Sequence, residues 1–264
     1  MRIDRGLVRR VEHSAADLSI QQAVALATLA PTSGASAEPL DGGALVAFGA
    51  GRYVNRAIGV GLGATAADEV VASLGAFYSA RGMAPSLEVC PWTGPALLLA
   101  LGAAGYRLER FRNVYVHDLA EPPREPAVPI AEVGDSTADD RKRILAGDVP
   151  ADSDARRISD EFCDALALLR GKFDLVALVD GVPAACGSLS VVDAVGWLGG
   201  AATLPAHRGT GLQTALVRHR LRLAAAAGCT FAAATALPDG QSARNLERLG
   251  FRLAYTQAVL TNTR

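Results

Sequence analysis

Apolar and polar positions follow regular periods along the second half of the chain. Apolar runs bounded by Gly, Pro and Asp predict strands at 128–133, 172–179, 182–192, 196–204 and 230–236. Apolar positions at helical spacing predict helices at 136–146, 158–170 and 211–227. Asp180-Gly181 separates two of the strands and is a strong signal for a tight hairpin. This mixture of helices and strands predicts an α/β fold.

The first half of the chain carries a related pattern. A helical stretch runs from the amino terminus to Pro31, and the segment 101–108 resembles the segment 248–253, with Gly105 and Gly250 standing 145 residues apart. The same offset relates Arg208 to Gly63, which lies in a glycine-rich turn between a predicted strand and a predicted helix. The two halves are therefore predicted to be copies of one fold.

A proline-rich segment separates the halves. Residues 121–129 contain four prolines, a composition that ends regular structure and favours an extended linker. A chain of 264 residues with 50% hydrophobic content can bury two modest cores. We predict domains at 1–120 and 128–264, joined by a linker at 121–127.

Charge and cysteine content exclude several classes of protein. The formal net charge of −1 argues against a general nucleic-acid binder. The N-terminal stretch includes Asp17 and lacks the apolar segment of a signal peptide, and no apolar run is long enough for a membrane span. Four dispersed cysteines without a Cys-x-x-Cys pair favour reduced thiols in a cytoplasmic protein, and no metal site is predicted.

The turn Arg208-Gly209-Thr210-Gly211 follows a predicted strand and opens a predicted helix. Glycines allow close approach of the backbone to an anion, and the first N–H groups of a helix are unpaired at the positive end of its dipole. No Asp or Glu occurs from 194 to 238, whereas Arg208, Arg218, Arg220 and Arg222 do. The turn is therefore predicted to bind a diphosphate of a nucleotide-like cofactor. An ordinary glycine-rich helix start with solvated arginines is the alternative.

The order of these motifs resembles the GNAT acyltransferase superfamily over residues 128–264. The residues that carry the resemblance are Pro205, Arg208-x-x-Gly211-x-Gln213 and the later stretch Ser242-Ala-Arg-Asn245 with Gly250-Phe251. Gln213 stands where Gly or Ala is usual in the family. The resemblance implies that each domain is a mixed, mostly antiparallel sheet flanked by helices. It also implies acetyl-CoA as acyl donor.

The resemblance assigns a set of cofactor-binding residues. The turn would hold the pyrophosphate through its backbone, helped by the Thr210 hydroxyl, and the strand at 201–203 would pair with the pantetheine arm. Gly199-Gly200 before that strand suits a bulge that admits the arm. The full predicted set is Ala201, Ala202, Thr203, Arg208, Gly209, Thr210, Gly211, Leu212, Gln213 and Asn245.

The catalytic groups depart from the family pattern. Many members carry a tyrosine four residues before the Gly-Phe pair to protonate the departing thiolate, and this chain has Leu246 there. Ser242 or Tyr255 are the candidates to replace it. For the general base, Asp193, Glu161 or Asp164 would have to act through water. His219 lies on the apolar face of its helix and is expected to be packed rather than catalytic.

Only the second copy is expected to bind the cofactor, because the first has Asp68 and Glu69 in the opening turn of its helix and no Arg or Gln there. The predicted function is acyl transfer from acetyl-CoA to an amine of a small molecule or protein. A non-catalytic acyl-CoA sensor or assembly module is the main alternative. Gly59-x-Gly61-x-x-Ala64 also fits a dinucleotide-binding fingerprint, with Glu88 as ribose ligand, so an oxidoreductase is a third hypothesis. The acceptor and the oligomeric state stay open.

Overall fold

The computed structural model describes residues 1–52 and 55–262, which form two compact units of mixed α/β structure. Unit 1 comprises Met1–Val114, Ala236–Gly240 and Leu253–Arg264, and unit 2 comprises Tyr115–Thr235 and Gln241–Arg252. The predicted fold class, sheets flanked by helices, is confirmed. The units differ from the predicted domains, because the last strand of the chain belongs to unit 1.

Unit 1 is built on a mixed sheet with strands in the order β1-β2-β3-β4-β11-β5. Its elements are α1 (Arg5–Leu29), β1 (Ser36–Leu40), β2 (Gly43–Ala47), β3 (Arg56–Ile58), α2 (Ala67–Ser79), β4 (Ser86–Val89), α3 (Pro95–Ala103), the first part of β5 (Arg107–Asp118) and nearly all of β11 (Arg252–Thr261). Strands β3 and β4 run parallel, whereas β11 pairs antiparallel with β4. The predicted N-terminal helix is α1, which ends before Pro31.

Helices cover both faces of the unit 1 sheet. The core on one face joins residues of α2 and α3 to Leu45, Ala47 and Ala57 of the strands. Successive strand residues point to opposite faces, so Ala44 and Val46, both fully buried, face α1. The uninterrupted burial of β2 follows from this double cover.

Unit 2 has the strand order β5-β10-β9-β8-β7-β6, with β5 contributing its residues from Tyr115 onward. Its elements are β6 (Ile130–Glu132), α4 (Ala138–Ala146), α5 (Asp154–Ala167), β7 (Lys172–Val179), β8 (Val182–Val192), β9 (Val195–Thr203), α6 (Leu212–Ala226), β10 (Phe231–Ala236) and α7 (Gln241–Arg248). Strands β7 and β8 have the predicted bounds. Asp180 and Gly181 between them have φ of +51° and +80°, as a tight hairpin turn requires.

The two faces of the β7–β8 hairpin pack on different helices. Leu175, Ala177 and Ala185 pack with Leu212 and Leu216 of α6. The alternate positions Val176 and Cys186 pack with Ile144 of α4. The positions that pack on α6 form the α6 face of the hairpin, and those that pack on α4 form its α4 face.

Equivalent elements of the two halves follow the offset seen in the sequence. Helix α2 begins 145 residues before α6, and the same spacing separates the starts of β4 and β10 and of β5 and β11. No helix in the described part of the chain is both long and apolar enough to cross a membrane. All four cysteines are unpaired and buried, as predicted.

Candidate cofactor and active site

The turn before α6 has a backbone that glycine makes accessible. A short 3-10 helix at Pro205–His207 ends β9 and is followed by Arg208 in extended conformation. Gly209 and Gly211 then have φ of +80° and +88°, and Gly211 is the N-cap of α6. A side chain would be strained at either position although nothing lies within 4 Å of an added Cβ. The strand, turn and helix predicted for this segment are present.

The start of α6 has a run of unsatisfied donors. Ala215 is the first residue of the helix whose N–H bonds within it, to the Gly211 carbonyl at 3.0 Å. Within the described residues, the backbone N–H groups from Gly209 to Thr214 have no protein acceptor, and no side chain caps the helix. No acidic residue lies in the first turn. The dipole and the free donors make this point suitable for an anion.

Strands β9 and β10 pair only at their first residues. The parallel register joins Phe231, Ala232 and Ala233 to Val195, Gly196 and Trp197, and no pairing between them continues beyond Trp197 in the described residues. Strand β9 nevertheless extends to Thr203, still paired with β8 on its other side. Its edge toward β10 is therefore open from Leu198 onward, and such an edge can accept an added extended chain.

The open edge begins at an irregularity in β9. Cys186 of β8 pairs with Ala202 and Ser188 pairs with Gly199, so Gly200 and Ala201 together lie opposite Gly187, and Gly200 has φ of +54°. Residues 199–201 are exposed, while Leu198 before them is buried. The bulge expected at Gly199-Gly200 is thus present, with Gly200 and Ala201 as its unpaired residues and Gly199 in the pair that precedes it.

Four of the predicted cofactor residues, Thr203, Thr210, Gln213 and Asn245, use their side chains within the fold. Gln213 Nε2 donates to the carbonyls of Cys186 at 3.1 Å and Ala202 at 2.8 Å and lies 3.1 Å from Thr203 Oγ1. The Thr210 hydroxyl donates to the His207 carbonyl at 2.7 Å. Asn245 Oδ1 accepts from Gln241 and Arg248 of its own helix. Gln213 thus links the end of β9 to α6 and β8 through hydrogen bonds. The Thr210 hydroxyl can donate to a phosphate only if it gives up its bond to the His207 carbonyl.

The four arginines near the turn are not equivalent. Arg208 and Arg218 are exposed. Arg222 forms an ion pair with Glu125 at 2.5 Å, and His219 lies 3.1 Å from the same carboxylate, which ties the proline-rich segment to α6. Arg220 is 2% exposed and bonds to backbone carbonyls. Of the four arginines predicted to form a basic surface, Arg208 and Arg218 are therefore the two whose side chains are exposed and form no ion pair within the described residues. His219 is partly buried, as expected.

The replacements suggested for the missing tyrosine lie in unfavourable places. Leu246 is buried in the core of unit 2, and Ser242 is exposed on α7. Tyr255 belongs to unit 1, where it is 5% exposed and its hydroxyl donates to Glu12 Oε1 at 2.6 Å. The Tyr255 proton is therefore already committed to a carboxylate in unit 1.

Sequence inspection missed a buried ionic cluster on the α4 face beside the bulge. Asp174 Oδ1 accepts from Ser188 Oγ at 2.6 Å and forms an ion pair with Arg141 at 2.9 Å, and Lys172 contacts its other oxygen. Ser188 Oγ would lie 2.7 Å from a Cβ added at Gly200, so only glycine fits there. Burial lowers the pKa of Lys172. Polar residues at alternate inward positions of two paired strands are the signal that identifies such a cluster.

The carboxylates considered as general base are also engaged or remote. Asp164 forms an ion pair with Lys142 at 2.6 Å, and Glu161 lies 3.9 Å from Arg157. Asp193 is in the β8–β9 turn, six residues before Gly199, which is about 20 Å along an extended strand. None of these side chains offers an evident proton acceptor at the bulge.

The equivalent turn in unit 1 is filled by the protein itself. Asp41, in the β1–β2 hairpin turn, accepts from the N–H of Gly61 at 3.1 Å and of Thr65 at 2.8 Å. A Cβ at Gly63 would lie 2.3 Å from Asp41 Oδ1. The carboxylate stands where an anionic ligand would have to be placed. Asp68 and Glu69 lie in the first turn of α2, as predicted.

This arrangement removes the basis of the oxidoreductase hypothesis. The glycine turn after β3 has no space for a pyrophosphate while Asp41 occupies it. Glu88, the expected ribose ligand, is 2% exposed and accepts from Arg112 at 2.6 Å, with Arg56 at 3.2 Å. It is an internal ion-pair partner rather than a free acceptor for a ribose hydroxyl.

Comparison with known proteins agrees with the geometry of unit 2. Residues 141–251 match the model of the Acetyltransferase (GNAT) family. No curated protein matches the chain in sequence.

Several solved structures share the fold. A GCN5-related N-acetyltransferase from Kribbella flavida is 21% identical and has a TM-score of 0.61, covering 94% of this chain and 97% of its own. A tandem GNAT protein from the clavulanic acid biosynthesis pathway is 16% identical with a TM-score of 0.58, covering 82% of this chain and 73% of its own. A GCN5-related N-acetyltransferase from Sphaerobacter thermophilus is 16% identical with a TM-score of 0.53, covering 68% and 59%. Residues 141–251 thus match a GNAT acetyltransferase domain, and the chain shares its fold with GNAT acetyltransferases.

Proposed function

We propose that unit 2 binds acetyl-CoA and transfers its acetyl group to an amine. The observation that carries this proposal is the run of free N–H groups from Gly209 to Thr214 at the start of α6. A pyrophosphate satisfies such donors and gains from the helix dipole. The filled turn of unit 1 supports assigning the cofactor to unit 2 alone.

The open edge of β9 supplies the rest of the cofactor site. The pantetheine arm contains amide groups, and these would pair with the backbone at Ala201–Thr203 as an added strand does. The thioester would then reach the bulge at Gly199-Gly200, where a backbone N–H would stabilise the oxyanion. Gly199 and Gly200 have no side chain and Ala201 has only a methyl group, and all three residues are exposed, which leaves room for this approach.

Proton transfer would depend mainly on the acceptor and solvent. The carboxylate beside the bulge, Asp174, is already bound by Arg141, Lys172 and Ser188. An alkylamine with a pKa of about 10.4 is mostly protonated at neutral pH and must lose a proton before it attacks. Acetylation of an alkylamine is therefore expected to accelerate as pH rises, whereas an arylamine acceptor, already neutral, would lack this dependence.

A non-catalytic acyl-CoA-binding module is the second candidate. The buried Leu246, where many family members have the tyrosine acid, favours it, as does the engagement of the nearby carboxylates. Such a module would keep the turn and the open edge and would bind acetyl-CoA without turnover.

Two measurements test these proposals together. Calorimetric titration with acetyl-CoA is expected to show binding, and absence of binding at millimolar concentration contradicts both candidates. Release of free thiol is then measured with a panel of alkyl and aryl amines over a range of pH. Turnover with any acceptor supports the transferase, whereas binding without turnover favours the module.

A further inference from the structure

Arg220 is a buried cation that donates hydrogen bonds to carbonyl groups. Its Nε donates to the Leu216 carbonyl at 3.1 Å, one helical turn back. Its Nη1 donates to the carbonyls of Ser188 at 3.1 Å and Gly199 at 3.2 Å. In the part of the chain that the structure describes, no carboxylate lies within ion-pair distance of it. Burial lowers the pKa of the guanidinium to about 10, which still leaves it charged at neutral pH.

A glycine on β8 leaves the space that the buried Arg220 guanidinium occupies. A Cβ at Gly187 would lie 2.8 Å from Arg220 Cζ and 3.1 Å from both terminal nitrogens. Only glycine therefore allows the guanidinium to lie against β8. Burying a charge without a counter-ion is unfavourable unless strong hydrogen bonds compensate. Stability alone gives no evident reason for an arginine here, since an apolar side chain would fill the α6 face without that penalty.

The two carbonyls bound by Arg220 lie at the bulge. Ser188 and Gly199 are register partners at the point where the β8–β9 pairing shifts. In a trans peptide the C=O and N–H point in opposite directions, so holding the Gly199 carbonyl toward Arg220 directs the Gly200 N–H away from it. The Gly200 carbonyl is in turn contacted by Cys186 Sγ at 3.6 Å, on the α4 face. Both peptides of the bulge are thus oriented by internal donors.

We propose that Arg220 is a positioning residue that orients the Gly199-Gly200 bulge to receive the pantetheine arm and thioester of an acyl-CoA. The proposal rests on the proposed function, because it assigns the arm to β9. It extends that function by separating two parts of the site: the turn at Gly209–Thr214 holds the diphosphate, and Arg220 acts only on the segment that meets the arm.

The separation predicts different effects on two ligands. The probes are acetyl-CoA and adenosine 3′-phosphate 5′-diphosphate, the same nucleotide without the arm. In Arg220→Lys, a point charge replaces the planar fork and cannot serve both carbonyls. We expect calorimetry to show acetyl-CoA affinity reduced about tenfold or more, the range for a lost charged hydrogen bond, and nucleotide affinity changed less than about twofold. Arg222→Lys is the matched control: Arg222 is exposed on α6, a lysine can keep its ion pair with Glu125, and the change should affect neither ligand.

The outcomes distinguish the two levels of the proposal. If the wild-type protein binds neither probe, the proposed function fails and the role of Arg220 fails with it. If the wild type binds both, and Arg220→Lys weakens both equally or neither, the role of Arg220 alone is overturned. Should Arg220→Lys not fold, the titrations are made with Gly187→Ala, which displaces the guanidinium from the opposite side. The same selective loss of acetyl-CoA affinity is expected, and its absence overturns the role.

Discussion

Glu12 is an acid enclosed by unit 1. It lies on α1, is 1% exposed, and its Oε1 accepts from Tyr255 at 2.6 Å and from Gln257 at 2.9 Å. Its Oε2 is buried and has no close hydrogen-bond donor among the described residues. Burial raises the pKa of Glu12 from 4.5 to about 7, and the nearby Glu88 adds to the effect. The folded protein therefore retains a proton that an unfolded chain loses.

We expect Glu12→Gln to remove a pH dependence of stability between pH 4.5 and 7. Below this window Glu12 is protonated in both states, so its contribution is fully present. As pH rises through the window only the unfolded chain loses the proton, and the free energy of unfolding falls by about 3 kcal/mol. Urea unfolding across the window measures this decline in the wild type and its loss in the variant. Exposed Glu69→Gln is the control, and an unchanged decline in Glu12→Gln contradicts the prediction.

Asp41 and Asp180 offer a matched pair of residues. Both begin an Asp-Gly hairpin turn with similar backbone angles, φ of +48° and +83° at Asp41-Gly42 and of +51° and +80° at Asp180-Gly181. Only the Asp41 carboxylate accepts hydrogen bonds, from Gly61 and Thr65, while that of Asp180 has none among the described residues. The two turns thus share a backbone conformation and differ in the hydrogen bonds of the aspartate carboxylate.

We expect Asp41→Ala to destabilise unit 1 by about 1–3 kcal/mol more than Asp180→Ala destabilises unit 2. The backbone effect of removing Asp from the turn is common to both, whereas the lost charged hydrogen bonds belong to Asp41 alone. Thermal and urea unfolding of the two variants measure the difference. Equal destabilisation would show that the Asp41 carboxylate adds nothing beyond turn formation.

The glycines at the two ends of α6 allow a matched test of acetyl-CoA binding at the start of the helix. Gly211 before the helix and Gly228 after it both have positive φ, +88° and +78°, and nothing lies within 4 Å of a Cβ at either. Valine at either position is strained by about the same 1–2 kcal/mol. We expect Gly211→Val to weaken acetyl-CoA binding about tenfold or more, and Gly228→Val to leave it unchanged. Calorimetry measures the acetyl-CoA affinity of each variant. Equal affinities in the two variants would show that the turn at Gly211 is not part of the binding site.

Local chemistry made the elements of unit 2 predictable. The Asp180-Gly181 turn, the alternation in β7 and β8 and the glycines at 209 and 211 each act over a few residues, so the hairpin and the helix start were located from sequence. The cluster at Asp174 was not. An unbroken hairpin register would place Asp174 opposite Gly187, but a shift between Ala177 and Leu178 places it opposite Ser188. Alternating polar residues in β7 and β8 indicate a shared polar face, but the pairing across it depends on a one-residue bulge that no local signal predicts here.

Contacts between distant segments account for the other differences. Tyr255 is one of the two candidates to replace the missing tyrosine, yet its strand lies beside β4, and its hydroxyl donates to Glu12, 243 residues away in the chain. Two acceptors of Arg220 are also distant in sequence, since the Ser188 and Gly199 carbonyls lie 32 and 21 residues from it. Sequence spacing identifies the helix or strand that carries each side chain but not its partner in the folded protein.

At the scale of the whole molecule, β11 makes unit 1 depend on the far end of the sequence. The strand lies between β4 and β5 in the unit 1 sheet and brings Tyr255 and Gln257 to Glu12. We expect a fragment of residues 1–120 to be unfolded, because it lacks an interior strand and leaves a buried acid without its donors. Circular dichroism of the fragment tests this. Co-expression with residues 121–264 should restore structure, and an independently folded 1–120 fragment would contradict the prediction.

The late position of β11 also bears on biosynthesis. A ribosome releases the chain from its amino end, so most of the strands of unit 1 emerge long before the residues that complete their sheet. Until residues 252–261 have been translated, β4 and β5 present unpaired edges of the kind that promote aggregation. The nascent protein should therefore need protection by chaperones from the emergence of β4 until the end of its translation.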